Sequence, residues 1–245
     1  MELLLLVSAF FSEIAGTISW FGSSSIFLPI AHQFLDYKNA IILVAIYHIF
    51  WNASRLAVTY KYWDKRIFFL FGIPSIFATI LGASLIEDIN PDFLKIALWF
   101  ILALFAIYSL WKPTFSIKPT PLLGRIGWAL SGFTAGIIGT GGVLRWAFMM
   151  LFGLSKERYI ATIASIALLV DFTRIPIYFW QGFLSREYFV YIPILFFISL
   201  SGSLIGKKIV GMIPSEILRK IILSSILFMS IYIWWQGYNN LYTHI

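Results

Sequence analysis

The chain has no cysteine among its 245 residues, which removes disulfide frameworks and thiolate metal sites. Charge is scarce as well. Asp, Glu, Lys and Arg make up 12% of the residues, against roughly 25% in an ordinary soluble domain. The histidines His32, His48 and His244 are scattered and no HExxH occurs, so a zinc hydrolase is not indicated. No GxxxxGK[ST] loop is present to hold a nucleotide. The expected sets of catalytic residues, metals and cofactors are therefore empty, and an enzyme is not expected.

What is there is apolar: 60% of the residues are hydrophobic and mean hydropathy is +0.87. Runs near the roughly 20 residues needed to cross a bilayer cover 40–60, 67–86, 93–111, 160–180, 188–205 and 217–235. The expectation is an all-α integral membrane protein. The run 3–11 lacks a preceding Lys or Arg and a clear cleavage pattern, so it reads as part of the fold rather than a signal peptide. Trp63, Trp111, Trp180, Trp234 and Trp235 at the run ends read as interface anchors. The net charge of +7 lies mostly in short loops, where it orients the chain in the bilayer rather than binding nucleic acid.

The chain repeats itself. Ala15-Gly16 falls on Ala135-Gly136, and Gly22 on Gly142, at an offset of 120. Asn52-x-x-Arg55 falls on Asp171-x-x-Arg174, and Ile73-Pro74 on Ile192-Pro193, at 119. Pro91 and Trp111 fall on Pro214 and Trp234 at 123. This predicts a first membrane repeat over 1–111, a cytoplasmic linker over 112–124, a second repeat over 125–238 and a short tail over 239–245. Duplicated halves are a common plan of secondary transporters.

Charge selects the path through the membrane. Setting aside Arg55, Arg145 and Arg174 inside apolar segments, eight plain crossings put seven basic residues on one side and eight on the other. If residues 125–154 instead enter and return, turning at Gly139-Thr-Gly-Gly142, the split becomes twelve against three. That asymmetry is what the positive-inside rule expects. The two arms, about 13 and 12 residues, would each reach roughly 20 Å as helix. The repeat implies a matching hairpin turning near Phe21–Ser25, although a full span over 3–35 stays open. With both hairpins, each half holds one re-entrant broken-helix hairpin and three transmembrane helices. The halves are then inverted repeats with both termini outside. Basic loops 61–66, 112–125, 156–158 and 207–220 fall on the cytoplasmic side of a multi-pass protein of the cytoplasmic membrane.

Broken backbone at membrane depth is tolerated only where protein buries it or a cavity wets it. A helix starting at such a break offers unpaired N–H groups and a positive end to an anion. The candidate substrate-binding residues are Gly139, Thr140, Gly141 and Gly142 at one tip and Ser23, Ser24 and Ser25 at the other. Arg145 is three residues past Gly142. Arg55, with Asn52 on its helix face, has no local counter-ion, whereas Asp171 and Arg174 are spaced to neutralise each other. Glu13 and His48 are candidates for proton coupling. Each residue also has a plainer reading, as close-packing glycine, turn serine, structural ion pair or packing histidine.

The segment Gly132-Phe-Thr-Ala-Gly136-Ile-Ile-Gly139-Thr-Gly141-Gly142 resembles the sulfite exporter TauE/SafE family of membrane permeases, whose members show a G-x-x-x-G-x-x-G-x-G-G type segment in each half. The first copy keeps Gly16, Gly22 and Pro29, with serines at the other glycine positions. The second copy lacks the proline. The resemblance covers essentially the whole chain. It implies transport, usually export, of small sulfur-containing anions such as sulfite or organosulfonates. An anion channel using the same pocket and an uptake permease for a related anion are the alternatives. An intramembrane enzyme would have only the serines at 23–25 as nucleophiles. Expected partners are a small anionic substrate and membrane lipid, with no nucleic acid; a homo-oligomer is left open.

Overall fold

The computed structural model describes residues 2–19, 22–111, 120–150 and 152–210, with positions 217, 220, 223, 224, 227, 228 and 231. Linker residues 112–119, most of the run 217–235 with Trp234 and Trp235, and the tail 239–245 lie outside the described residues.

The chain is all-helical among the described residues. Its helices are α1 (Glu2–Ser19), α2 (Ser24–Ala31), α3 (Tyr37–Thr59), α4 (Lys65–Leu85), α5 (Pro91–Trp111), α6 (Pro121–Ile137), α7 (Gly142–Met150), α8 (Lys156–Trp180) and α9 (Tyr191–Val210). Four stretches are long and apolar enough to cross a membrane: Tyr37–Tyr62, Lys65–Asp88, Lys156–Trp180 and Arg186–Ile209. Each coincides with a run read from hydropathy, and the run 93–111 lies in α5. Exposed apolar side chains such as Phe77, Phe197 and Trp180 coat the outside, as lipid contact requires.

Each half opens with a broken pair of helices. In the second half α7 folds back along α6, with Gly124 against Phe152, Gly127 against Phe148 and Gly141 against Ser131. The turn passes through Gly139 at φ +90, and the first-half turn through Gly22 at φ +103. Glycine alone takes this conformation without steric cost. Residues 3–35 are therefore not one continuous helix, and Gly16 packs on Ser23 where the chain returns.

The arms differ from expectation. α6 has 17 residues and α7 has 9, rather than two arms of similar length. Pro121 opens α6 at the position where a missing N–H is harmless, so residues 121–124 of the expected linker are helical. α7 begins 118 residues after α2, at 142 against 24, two fewer than the 120 that separate Gly22 from Gly142 in the sequence match.

α3 and α8 form the centre and run antiparallel. Beside the start of α3, the Ser185 N–H donates to Asn39 Oδ1 at 2.8 Å, just beyond the end of α8. Beside the start of α8, Arg158 donates to Asp64 at 2.9 Å, just beyond the end of α3. The flanking helices cross over: α4 packs on α6 and α8, and α9 packs on α1 and α3. The α4–α6 seam is built from small residues. Gly132 lies on the Ser75 carbonyl and Gly136 on that of Thr79. The Ser75 and Thr79 hydroxyls donate to the carbonyls of Trp128 and Gly132 at 3.0 and 3.1 Å.

Candidate functional site

The two hairpin tips meet. Thr140 Oγ1 lies 2.9 Å from Ser25 Oγ and 3.3 Å from Ser24 Oγ. All three residues are buried, so the hydroxyls hydrogen-bond one another away from water. Beside this junction is a cavity lined by Gly22 and Gly142 from the tips, His48, Trp51, Asn52 and Arg55 from α3, Arg145 from α7, and Ile163 and Ala167 from α8. Its volume is ≈ 10 Å³ at the centre of a water, room for about one water molecule. A roomier groove of ≈ 480 Å³ runs along α9, but its lining, including Phe197 and Leu204, is almost wholly apolar and offers nothing to a charge.

The cavity is basic. Arg145 is 3% exposed. Its Nε donates weakly to Ser131 Oγ at 3.4 Å, and its guanidinium lies 5.9 Å from the Trp128 ring centroid. Arg55 is half-buried and stacks 4.4 Å above the Trp51 ring. Neither arginine has a carboxylate within ion-pair distance among the described residues. A buried or half-buried cation without a counter-charge is costly, and an aromatic face recovers only part of that cost. At the mouth of α7, the first N–H groups from Gly142 onward have no partner within the helix. They add the positive end of the helix to the same space.

The acid of the neighbourhood is already engaged. Asp171 Oδ2 lies 2.8 Å from His48 Nδ1, and Asp171 Oδ1 accepts from Arg174 Nε and Nη2 at 2.9 and 2.7 Å. The carboxylate thereby holds the proton of His48 on Nδ1 and turns Nε2 toward Gly22. Asn52 donates to the His48 carbonyl at 2.9 Å, which fixes its amide at the cavity wall.

Arg174 does not line the cavity. Its Nη1 donates to the carbonyls of Ala135 and Gly139 at 2.8 and 2.7 Å. Tyr178 donates to Ala135 and Gly136, and Tyr37 to Ile137. These groups satisfy the last carbonyls of α6, which no helical N–H reaches. Gly139 and the Asp171–Arg174 pair thus hold the tip rather than border the cavity. Gly141 is pinned through its carbonyl by the Ser131 hydroxyl at 2.8 Å. Glu13 and Ser23 are not among the residues that line the cavity.

Five of the residues singled out from sequence border the cavity: His48, Asn52, Arg55, Gly142 and Arg145. Trp51, Ser131, Tyr178 and Tyr37 were missed. Trp51 was open to detection, since four residues on a helix place it beneath Arg55. The other three act through contacts that no local spacing encodes.

A family model of the sulfite exporter TauE/SafE matches residues 4–233, nearly the whole chain. The chain belongs to that family. Searches of curated proteins and of solved structures each found no match. TauE/SafE proteins are membrane permeases, so this chain is a multi-pass membrane transporter handling small anions, and the resemblance carried by Gly132–Gly142 holds.

Proposed function

We propose that the chain is a secondary transporter, in the export direction, of small sulfur-containing oxyanions such as sulfite or organosulfonates. The anion is held at mid-membrane between two re-entrant hairpin tips. Arg55 and Arg145 supply the charge, Asn52 and His48 Nε2–H, when protonated, donate from the side, and the first N–H groups of α7 donate from the tip. Ser24, Ser25 and Thr140 close the junction next to it. The observation that carries this reading is a cavity reached by both tips, with two arginines that, among the described residues, no carboxylate meets at ion-pair distance. Two net positive charges suit a dianion.

Inverted repeats are supported by the antiparallel pairing of α3 with its counterpart α8 and by the exchanged packing of α4 and α9. In this reading both hairpins dip into the membrane and return. The basic loops 61–66, 112–125, 156–158 and 207–220 face the cytoplasm. A water-sized cavity cannot take an oxyanion as it stands. Loading therefore requires the tips to part from α3 and α8, and alternating access supplies that motion. Export of an anion from a negative interior is favoured by about 2.3 kcal/mol per charge per 100 mV.

The test is efflux of sulfite and sulfoacetate from proteoliposomes. Arg55→Ala and Arg145→Ala are each expected to lower flux by about 30-fold or more, since removing a charge partner of a desolvated anion costs about 2–5 kcal/mol. Unchanged flux in both variants removes the cavity from the mechanism. Flux that never saturates with sulfite identifies a channel instead.

A further inference from the structure

A second buried polar site lies beside the first hairpin tip; its carboxyl, Glu13, does not line the anion cavity but faces Arg55, which does. Glu13 of α1 is 0% exposed. Its Oε1 accepts from the Ser203 hydroxyl of α9 at 2.5 Å; its Oε2 is buried with no partner inside hydrogen-bond geometry, though the Ser23 and Tyr47 hydroxyls face the carboxyl. Ser23, whose hydroxyl faces this carboxyl, is also buried with no partner inside hydrogen-bond geometry. An unsatisfied buried carboxyl oxygen with such a neighbour marks a place where something binds. The second hairpin has Ser131 at the corresponding position, taking the 118-residue spacing of α2 and α7, and there the hydroxyl is bonded.

The chemistry points to a small cation. An ionised carboxylate with one hydrogen bond in an apolar interior costs several kcal/mol. A metal ion would need roughly six oxygens, and no cluster of three or more acidic, His or Cys residues exists among the described residues. A proton needs only the free Oε2. The charged and titratable groups facing Glu13 are Tyr47 and Arg55, both from α3. Among the described residues, Ser203 and Gly202 of α9 and Ser23 of the tip also lie against it.

Resting on the anion transport proposed above, we propose that Glu13 carries the coupling proton, one per anion moved and in the same direction. The sign follows from Coulomb's law. A charged Glu13 and the anion compete for Arg55, so the anion binds best once Oε2 has taken a proton, and by linkage the proton binds best once the anion is present. Gly22 borders the anion cavity and Ser23 faces the carboxyl, so adjacent residues of one tip sense both ligands. A proton binds Oε2 on one side of the membrane and leaves from it on the other; no other bond changes. A dianion leaving with one proton still carries one negative charge outward, which the membrane potential favours.

The experiment uses purified full-length protein in liposomes loaded with sulfoacetate, whose charge is constant between about pH 6 and about pH 8. Sulfoacetate efflux and internal pH are read together. The wild type is expected to move about one proton out with each sulfoacetate, and Glu13→Gln, which keeps the Ser203 contact, to retain sulfoacetate exchange while losing proton movement at least about tenfold. Proton movement in the opposite sense, efflux with no proton movement, efflux that follows a sodium gradient, or unchanged coupling in Glu13→Gln each overturns the proposal. A second reading needs neither transport nor a variant. Dicyclohexylcarbodiimide modifies protonated carboxyls in apolar surroundings, so mass spectrometry of the wild type should find Glu13 labelled, less so as pH rises. Absence of that label overturns the proton assignment even if sulfoacetate moves. A labelled Glu13 in a protein that moves no sulfur anion supports the proton site and sinks the anion reading.

Discussion

The two hairpins share one outline and differ in how their polar groups are settled. Around α6 and α7 most backbone and hydroxyl groups at the turn are bonded, with Trp128 Nε1 buried without a partner and Arg145 holding only a weak hydrogen bond to Ser131. Arg174, Tyr178 and Tyr37 hold the carbonyls at the end of α6. Ser131 holds Gly141, and Ser75 and Thr79 stitch α6 to α4. Around α1 and α2, the hydroxyls of Ser12 and Ser23 and one oxygen of Glu13 are buried without partners. A settled polar group resists displacement, because moving it forfeits a bond in a place where water cannot replace it. An unbonded one forfeits no hydrogen bond on moving, although Tyr47 and Trp51 still bond α1 at Ala9 and Thr17. In the transport cycle proposed above, the second hairpin serves as the fixed wall and the first as the part that responds to ligands.

The largest effect should come from cutting the second hairpin's anchor. Arg174→Ala leaves Asp171 buried with its His48 contact alone, the Gly139 carbonyl without this donor and the Ala135 carbonyl with Tyr178 only. Breaking a buried pair in this way costs about 3–5 kcal/mol, which should appear as a large loss of thermal stability in detergent. A small loss would mean that the second hairpin is no better anchored than the first.

The turns sharpen the contrast. Gly139→Ala and Gly22→Ala both force a side chain into the left-handed region, at about 1–2 kcal/mol each. A Cβ at Gly139 also overlaps Ile41, whereas at Gly22 it meets only ordinary contacts at 3.6 Å from His48 and Trp51. Gly139→Ala should therefore be the worse by about 1–3 kcal/mol of overpacking, as chemical or thermal unfolding would measure. Equal losses would make the two tips mechanically alike.

The smallest effects separate bonded from unbonded hydroxyls. Thr79→Val should cost about 1 kcal/mol for its lost bond to α6. Ser12→Ala removes a buried hydroxyl with no partner and should be neutral or slightly stabilising. A marked destabilisation by Ser12→Ala would reveal a hidden partner and weaken the case for a loosely held first hairpin.

Much of the architecture was legible in the sequence because hydropathy and glycine placement are local signals. Long runs marked the crossing helices, and the spacing of Asp171 and Arg174 foretold their pairing. The glycine cluster marked the turn at Gly139–Gly142, although arms of similar length were expected around it, since apolar pattern does not mark where a helix begins. The site was legible only as a roster. Nothing local shows that His48 meets Asp171 across 123 residues, or that Arg174 caps a helix end instead of facing the cavity. Contacts between the halves depend on how antiparallel helices register, and periodicity along one helix carries no trace of that.

The crossed packing of α4 and α9 bears on the order in which the ribosome delivers the parts. α4 already exists when α6 emerges, so the second hairpin meets its lid on arrival. α1 emerges first, yet Ser203, which accompanies Glu13, lies 190 residues downstream. At about 5–20 residues per second, that is a wait of roughly 10–40 s for a nascent segment bearing an acidic side chain. Throughout that interval the insertion machinery or the water of its channel must shelter Glu13, and integration of the amino-terminal segment is completed last although it begins first.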